Sequence, residues 1–329
     1  MLFPDILYHV GGCSERQSPA KPGGAFDFSP ELWWNIFQIM IVEYFNFFYF
    51  LYLAFGLGLL LGLYFLLRNK SKKTSGIVLF GILLSNFSLH FLKLNFDHYQ
   101  QWMPYAIRTI SPENICSVSV LLFPWIFLSK KKILRDYMFY MGVASGLGAT
   151  LIPVDAIGQH PFLFETMRFY ISHMLLWVVP LLMVLLKVHT LDYKRIPKIP
   201  FLIYFVLGII LVNEVILIGA GFVDKNFLFS NDIRNSALIF GPLADVEFIG
   251  ILFTALTPSV FLTVPIGVNA GAAFYWPILW LVVPAFIYFS AVSLLLALPF
   301  EYKNIKTDIM TLKARILLLI RKPRKEENL

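Results

Sequence analysis

Residues 43–67 read EYFNFFYFLYLAFGLGLLLGLYFLL, and the basic residues Arg68, Lys70, Lys72 and Lys73 follow directly. The stretch is long enough to cross the hydrocarbon core of a bilayer as a helix, which takes about 20 apolar residues. Similar blocks recur along the chain, which has 329 residues, 58% of them hydrophobic and 14% charged. Soluble domains have about a quarter charged residues. The sequence therefore predicts an all-α, polytopic transmembrane helical bundle.

The apolar blocks divide the chain into about seven predicted spans: 43–67, 75–91, 115–128, 134–152, 164–186, 200–222 and 277–298. The third span is short and contains Pro124, so we expect it to be tilted little or partly broken. The apolar segment 241–267 would make an eighth crossing, and we expect a re-entrant or surface-lying element there instead. The domains are an extracellular N-terminal segment with an interfacial lead-in (1–42), the transmembrane domain (43–300) and a cytoplasmic tail (301–329).

Basic residues are unevenly distributed between the loops. They cluster after spans one, three, five and seven, and few follow the other spans. This asymmetry predicts a multi-pass protein of the cell membrane, with its N-terminus outside and its C-terminus inside. In the tail, apolar residues recur at helical spacing between lysines and arginines, which predicts a basic amphipathic helix on the anionic inner leaflet. The membrane thus accounts for the net charge of +7, and no nucleic-acid partner is expected.

Polar side chains inside the predicted spans identify a candidate site, since such groups are costly in lipid. We assign Cys116 as nucleophile and His173 as its base, because a thiol attacks as the thiolate. Arg168 has the planar fork that binds a phosphate or carboxylate. The candidate substrate-binding residues are Arg168, Asp155, Asn213, Ser172 and Asn114. The sequence has no metal-binding signature and implies no cofactor, and Cys13 and Cys116 do not suggest a disulfide framework.

Simpler interpretations of the same residues stay open. Cys116 is also a typical small packing residue. His173 and Asn213 would serve equally as hydrogen-bonding groups between helices. Arg168 would be neutralised by Glu165, which lies one helical turn away.

Several motifs resemble those of a known family. Pro112-Glu113-Asn114-Ile115-Cys116-Ser117 begins span three, and Leu151-Ile152-Pro153-Val154-Asp155 ends span four. Met167-Arg168-Phe169-Tyr170-Ile171-Ser172-His173 follows on span five. Over roughly residues 75–300 this order resembles the YwaF family of bacterial integral membrane proteins, which is similar to the eukaryotic transmembrane-protein-164 family.

The resemblance implies a membrane acyltransferase acting on phospholipids, with the acyl group carried on the cysteine that corresponds to Cys116. His173 corresponds to the family histidine. The family usually has Leu-His-Leu-Cys where this chain has Glu113-Asn114-Ile115-Cys116, so Asn114 cannot supply any base function of that first histidine. The stretch 226–275 is longer than usual in the family.

These observations together predict a phospholipid acyltransferase or acyl hydrolase that uses a cysteine thioester, with a site that opens to the outer leaflet. Membrane phospholipids are the expected partners, and the sequence identifies no protein partner. The alternative is a lipid or small-anion transporter with Arg168, Asp155 and Glu165 as its binding site. A third interpretation is an assembly factor that docks a partner on 241–267.

Overall fold

The computed structural model describes residues 40–224, 238–242 and 247–321. Six helices in these ranges are long and apolar enough to cross a membrane, and a shorter apolar helix lies between the second and third of them. They occupy the seven predicted segments, so the prediction of a polytopic helical bundle is confirmed. The orientation of the bundle in the membrane stays a prediction.

The helices are named in chain order. They are α1 (Phe47–Leu67), α2 (Lys72–Leu92), α3 (Ile115–Leu128), α4 (Lys132–Met141), α5 (Leu147–Leu151), α6 (Phe164–Leu185), α7 (Ile199–Gly219), α8 (Glu247–Leu256) and α9 (Val282–Arg321). A π-turn, Gly142–Gly146, joins α4 to α5 and completes the fourth predicted span. Helix α3 has 14 residues, including Pro124, and is about 21 Å long at 1.5 Å per residue.

Helix α6 is the central helix of the bundle. Its two halves are largely buried, and α1, α2, α3, α4 and the π-turn all pack against it. Two glycines of the π-turn allow an especially close approach. A Cβ atom on Gly142 would lie 2.5 Å from the carbonyl oxygen of Leu176, and one on Gly146 would lie 2.8 Å from that of His173. Only glycine fits such contacts, so these two residues fix where the π-turn meets α6.

Short irregular elements connect the helices. The segment between α2 and α3 (residues 93–114), which we call the outer loop after its predicted side of the membrane, contains two single-turn helices, Asp97–Gln100 and Ile107–Ile110. Single 3₁₀ turns lie at Lys93–Asn95, Val154–Ala156, Ser259–Phe261 and Leu279–Leu281, and a six-residue 3₁₀-helix at Tyr193–Lys198.

The segment 241–267 does not form a helix of spanning length in its described part. Helix α8 has ten residues, and a single antiparallel bridge between Thr263 and Ala273 follows it. Thr257 Oγ1 donates a hydrogen bond to the carbonyl oxygen of Trp280 (2.9 Å), and Tyr288 donates to that of Leu252 (2.9 Å). These contacts join the segment to the start of the last helix. A re-entrant or surface location stays a prediction.

The last helix is longer than its predicted span. Helix α9 runs for 40 residues, from Val282 to Arg321, with Pro299 inside it. The sequence placed the basic tail in a separate element after residue 300, whereas the structure continues the same helix through it. Phe300 packs edge-on against Phe139 at a centroid distance of 5.6 Å, so this part of the helix still contacts the bundle.

Candidate functional site

Cys116 lies in the first turn of α3. Asn114 caps this helix: its Oδ1 accepts a hydrogen bond from the backbone N–H of Ser117 (2.8 Å), and Ser117 Oγ accepts one from the backbone N–H of Asn114 (3.0 Å). This reciprocal arrangement is a capping box. The predicted substrate-binding residue Asn114 therefore has a defined structural role. It places the thiol in the first turn of the helix.

Ser145 of the π-turn lies opposite the cysteine. Its side chain lies near the Cys116 thiol, and its hydroxyl donates a hydrogen bond to the carbonyl oxygen of Met141 (2.6 Å). π-turns inside α-helices occur frequently at functional sites. Ser145 was missing from the sequence prediction because an isolated serine in an apolar block gives no signal of a widened helical turn.

His173 lies on α6, next to the same π-turn. Its Nδ1 is 2.8 Å from the carbonyl oxygen of Phe169, so in the neutral ring Nδ1 carries the proton and Nε2 holds a free lone pair. Among the described residues, Nε2 has no hydrogen-bonding partner. Helices α3 and α6 are in contact, and the π-turn contacts both. The two predicted catalytic residues therefore lie on adjacent helices. Ser145 of the π-turn lies beside Cys116, and Gly146 lies beside His173.

Arg168 belongs to a compact polar group at the N-terminal end of α6. Its guanidinium donates hydrogen bonds to Glu165 Oε2 (3.0 and 3.2 Å) and to the Tyr99 hydroxyl (3.1 Å). Tyr99 in turn donates a hydrogen bond to Glu165. Burial, together with this carboxylate acceptor, raises the pKa of Tyr99, so the phenol stays protonated as a donor. The pairing of Arg168 with Glu165 that the sequence left open is thus present.

The other predicted substrate-binding residues are placed differently. Asp155 is exposed in the turn after α5, close enough to interact electrostatically with both Cys116 and Arg168 but without a direct hydrogen bond or ion pair to a described residue. Ser172 is buried, and its backbone carbonyl accepts a weak hydrogen bond from Asn86 Nδ2 (3.4 Å). Asn213 lies apart from this group and donates a hydrogen bond to Ser111 Oγ in the outer loop (2.9 Å).

A second ionic group holds the outer loop against α7. Arg108 pairs with Glu214 (2.9 Å) and Glu113 (3.1 Å), and all three side chains are largely buried. Burial raises the pKa of Glu113, although the Arg108 charge opposes the shift. Residues 108 and 214 are 106 positions apart, and nothing in the sequence signals their contact. Sequence analysis therefore missed this group.

Two further buried side chains, both on or just after α2, face the same loop. Lys93 is 3% exposed, and its ammonium donates a hydrogen bond to the carbonyl oxygen of Thr109. His90 Nε2 lies 3.1 Å from the carbonyl oxygen of Ile110. No carboxylate of the described chain lies within ion-pair distance of Lys93, although Glu113 and Glu165 favour its charge from farther away and Arg168 opposes it. The Lys93 ammonium also lies 5.6 Å from the centroid of the Tyr99 ring. Lys93 is therefore a buried positive charge with one backbone acceptor.

The described residues contain no cluster of three or more His, Cys, Asp or Glu side chains that is suited to a metal ion.

Comparison with known proteins gives one match. The family model described as the TMEM164 family matches residues 39–264, which include the outer loop, both predicted catalytic residues and helices α1 to α8. No curated protein and no solved structure matches the chain significantly.

Proposed function

The chain belongs to the TMEM164 family, and we propose from that premise that it transfers or hydrolyses phospholipid acyl chains through a thioester on Cys116. We further propose that it belongs to the bacterial YwaF branch, on the residues Arg168-Phe169-x-x-Ser172-His173. The observation that carries the proposed activity is the shared π-turn, which has Ser145 beside the thiol and Gly146 against the backbone of His173.

The proposed first half-reaction forms the thioester. His173 Nε2 takes the thiol proton, and the Cys116 thiolate attacks the carbonyl carbon of a phospholipid ester. The ester C–O bond breaks, the acyl chain stays on sulfur, and His173 returns the proton to the departing lysophospholipid oxygen. The Ser145 hydroxyl, which has Met141 as a backbone acceptor, rotates to donate to the thiolate.

The proposed second half-reaction releases the acyl chain. His173 takes a proton from the hydroxyl of an incoming lysophospholipid, whose oxygen attacks the thioester carbonyl. The Cys116 thiolate leaves and is protonated again by His173. Water in place of the lipid hydroxyl gives hydrolysis, so access of water to the thiol decides which reaction occurs. With the expected orientation the site opens to the outer leaflet, where phospholipid is the available acyl donor.

The polar groups of the outer loop and the N-terminal end of α6 are suited to bind the headgroup of such a substrate. Arg168 is already engaged by Glu165 and Tyr99, whereas Lys93 retains two ammonium protons beyond its bond to Thr109. A buried cation is stabilised strongly by an anionic partner, since unpaired burial of charge is costly. We therefore assign Lys93 the headgroup phosphate, and Arg168 with Asp155 the polar wall beside it.

The transporter alternative has less support in this geometry, because the guanidinium on which it depends is paired within its own helix. The two functions differ in what they require of the thiol. If the protein is a transporter, a variant without Cys116 still moves phospholipid. If it is the proposed enzyme, the same variant binds phospholipid but cannot cleave or transfer its acyl chain.

The test uses full-length protein with Cys13→Ala as background, so that Cys116 supplies the remaining thiol. Reconstituted protein receives a phospholipid with a labelled acyl chain, together with a lysophospholipid acceptor. We expect labelled transfer or free fatty acid from the Cys13→Ala protein and none from Cys13→Ala/Cys116→Ala. Equal turnover by both proteins would refute the thioester mechanism.

A further inference from the structure

Helix α9 forms polar contacts with the bundle up to Asp308, and 13 described residues follow that point. Up to Asp308 the helix is joined to the bundle: Lys194 Nζ lies 2.7 Å from the Asp308 carboxylate, and the Tyr193 hydroxyl also donates to it. The helix continues to Arg321, and the side chains that the structure describes beyond Asp308, those of residues 309–317, form no polar contact with the bundle. We call residues 309–321 the arm.

The arm exposes large apolar side chains. Ile309, Met310 and Leu312 are 59%, 62% and 58% exposed, and Ile316 and Leu317 are 47% and 46% exposed. At 100° per residue, Ile309, Leu312 and Ile316 lie along one narrow stripe, and Met310 and Leu317 lie about 100° to one side of it. Lys313, at about 40° from Ile309, lies between these two sets. The apolar face is thus wider than the two-position seam of a coiled coil, and it includes one lysine whose aliphatic stem can lie along it.

The charge of the arm is of one sign. Its basic residues are Lys313, Arg315 and Arg321, and it contains no aspartate or glutamate. Two copies of this segment side by side would repel each other, whereas a surface of anionic lipid would attract both. A helix with a wide apolar face and an excess of basic residues is typical of helices that lie in the headgroup region of a membrane.

We propose that the arm binds an anionic lipid surface, and that the Asp308 contacts with Tyr193 and Lys194 mark the point where α9 leaves the bundle. The sequence placed the amphipathic helix from Ile305. In the structure Ile305 and Asp308 are only partly exposed and face the bundle, so the membrane-binding face begins at Ile309. The proposal is independent of any chemistry at Cys116.

The experiment uses full-length protein with Cys13→Ala and Cys116→Ala, labelled with an environment-sensitive dye at Ile309→Cys or, as the matched control, at Thr311→Cys on the opposite face. Each protein is placed in nanodiscs of phosphatidylcholine with or without phosphatidylglycerol. Access of the dye to acrylamide, a neutral quencher, is measured at low and high salt. Both faces of a nanodisc are open to solvent and have the same lipid composition, so the result does not depend on orientation.

We expect phosphatidylglycerol to reduce quenching at position 309 severalfold and to change quenching at position 311 little. High salt should reverse part of the protection, because it screens the charges. Lys313→Glu with Arg315→Glu should abolish the lipid dependence, and Lys72→Glu with Lys73→Glu, an equal charge change elsewhere, should preserve it. Equal quenching at 309 with and without phosphatidylglycerol would overturn the proposal. Protection that instead rises with protein concentration in detergent would assign the arm to a second copy and equally overturn it.

Discussion

The two ends of the bundle hold buried polar and ionic side chains that differ in how much of their hydrogen-bonding capacity is used. At one end Asp136 is fully buried, and both of its oxygens are used: Arg195 donates to each, and His189 lies 2.7 Å from Oδ1. At the other end Lys93 has one backbone acceptor, and His173 has a free Nε2. A closed network holds helices together, whereas groups with remaining hydrogen-bonding capacity are suited to a ligand or a reaction.

This difference leads to opposite expectations for the two ends. Changes around Asp136 should reduce the free energy of unfolding and affect activity only through folding. Changes at His173 or Lys93 should alter kinetic constants in a protein that still folds. Four substitutions test this difference between the two ends, beginning with the one for which we expect the greatest effect.

The largest effect is expected for His173→Asn. The asparagine amide can still donate to the carbonyl oxygen of Phe169, as Nδ1 does, but provides no base at the position of Nε2. We expect acyl turnover to fall by about 10²- to 10⁴-fold, the usual contribution of a general base, with an unchanged melting temperature. Turnover with labelled phospholipid and thermal unfolding in detergent measure the two quantities. Full activity would exclude His173 as the base.

Asp136→Ala should destabilise the protein by about 3–5 kcal/mol, because it leaves Arg195 and His189 without their buried partner. Denaturant unfolding in detergent measures this change. The folded fraction should keep its normal activity. A kinetic defect in fully folded Asp136→Ala protein would contradict the structural role that we assign to this end.

Lys93→Met should raise the KM for a phospholipid donor by about 10- to 100-fold, which corresponds to the 1.5–3 kcal/mol of a charged hydrogen bond. Since the charge acts on the headgroup and not on the thiol, kcat should change little. A diacylglycerol donor, which has no phosphate, should be used equally by both proteins. Lys93→Arg serves as the matched control. An unchanged KM, or an equal loss with diacylglycerol, would contradict the assignment.

The smallest effect is expected for Gly146→Ala. The new Cβ would lie 2.8 Å from the carbonyl oxygen of His173, so the π-turn must move away from α6. We expect a loss of about 1–3 kcal/mol in stability, as for other overpacked sites, together with a lower kcat. Gly148→Ala is the control, because apart from its chain neighbours and the backbone of its own helical turn no atom lies within 4 Å of its added Cβ. Identical behaviour of the two variants would show that the contact does not position the site.

The sequence predicts the bundle well, because spans of about 20 apolar residues dominate every other signal. It also brings out Cys116, His173 and Arg168, since polar groups are rare in such blocks. The contacts that organise the site are not visible in it. The pairing of Arg108 with Glu214 depends on how α7 meets the outer loop, and the π-turn is a local widening that residues Gly142–Gly146 do not signal.

Two further features show the same limit. In the sequence Lys93 looks like an ordinary lysine at the end of a helix. Its burial results from the outer loop folding over it. The position at which the arm begins within α9 also depends on a tertiary contact, the ion pair of Asp308 with Lys194. Periodicity locates an amphipathic face but cannot tell which of its turns the bundle covers.

The central claim is that Cys116 carries an acyl chain, and intact-protein mass spectrometry in native lipid tests it most directly. The Cys13→Ala protein is compared with Cys13→Ala/Cys116→Ala after brief exposure to a phospholipid donor without acceptor. The account predicts a mass increase of one fatty-acyl group that hydroxylamine removes and that the double variant lacks. An adduct of equal abundance in both proteins, or a thiol that stays unmodified while turnover proceeds, would contradict it.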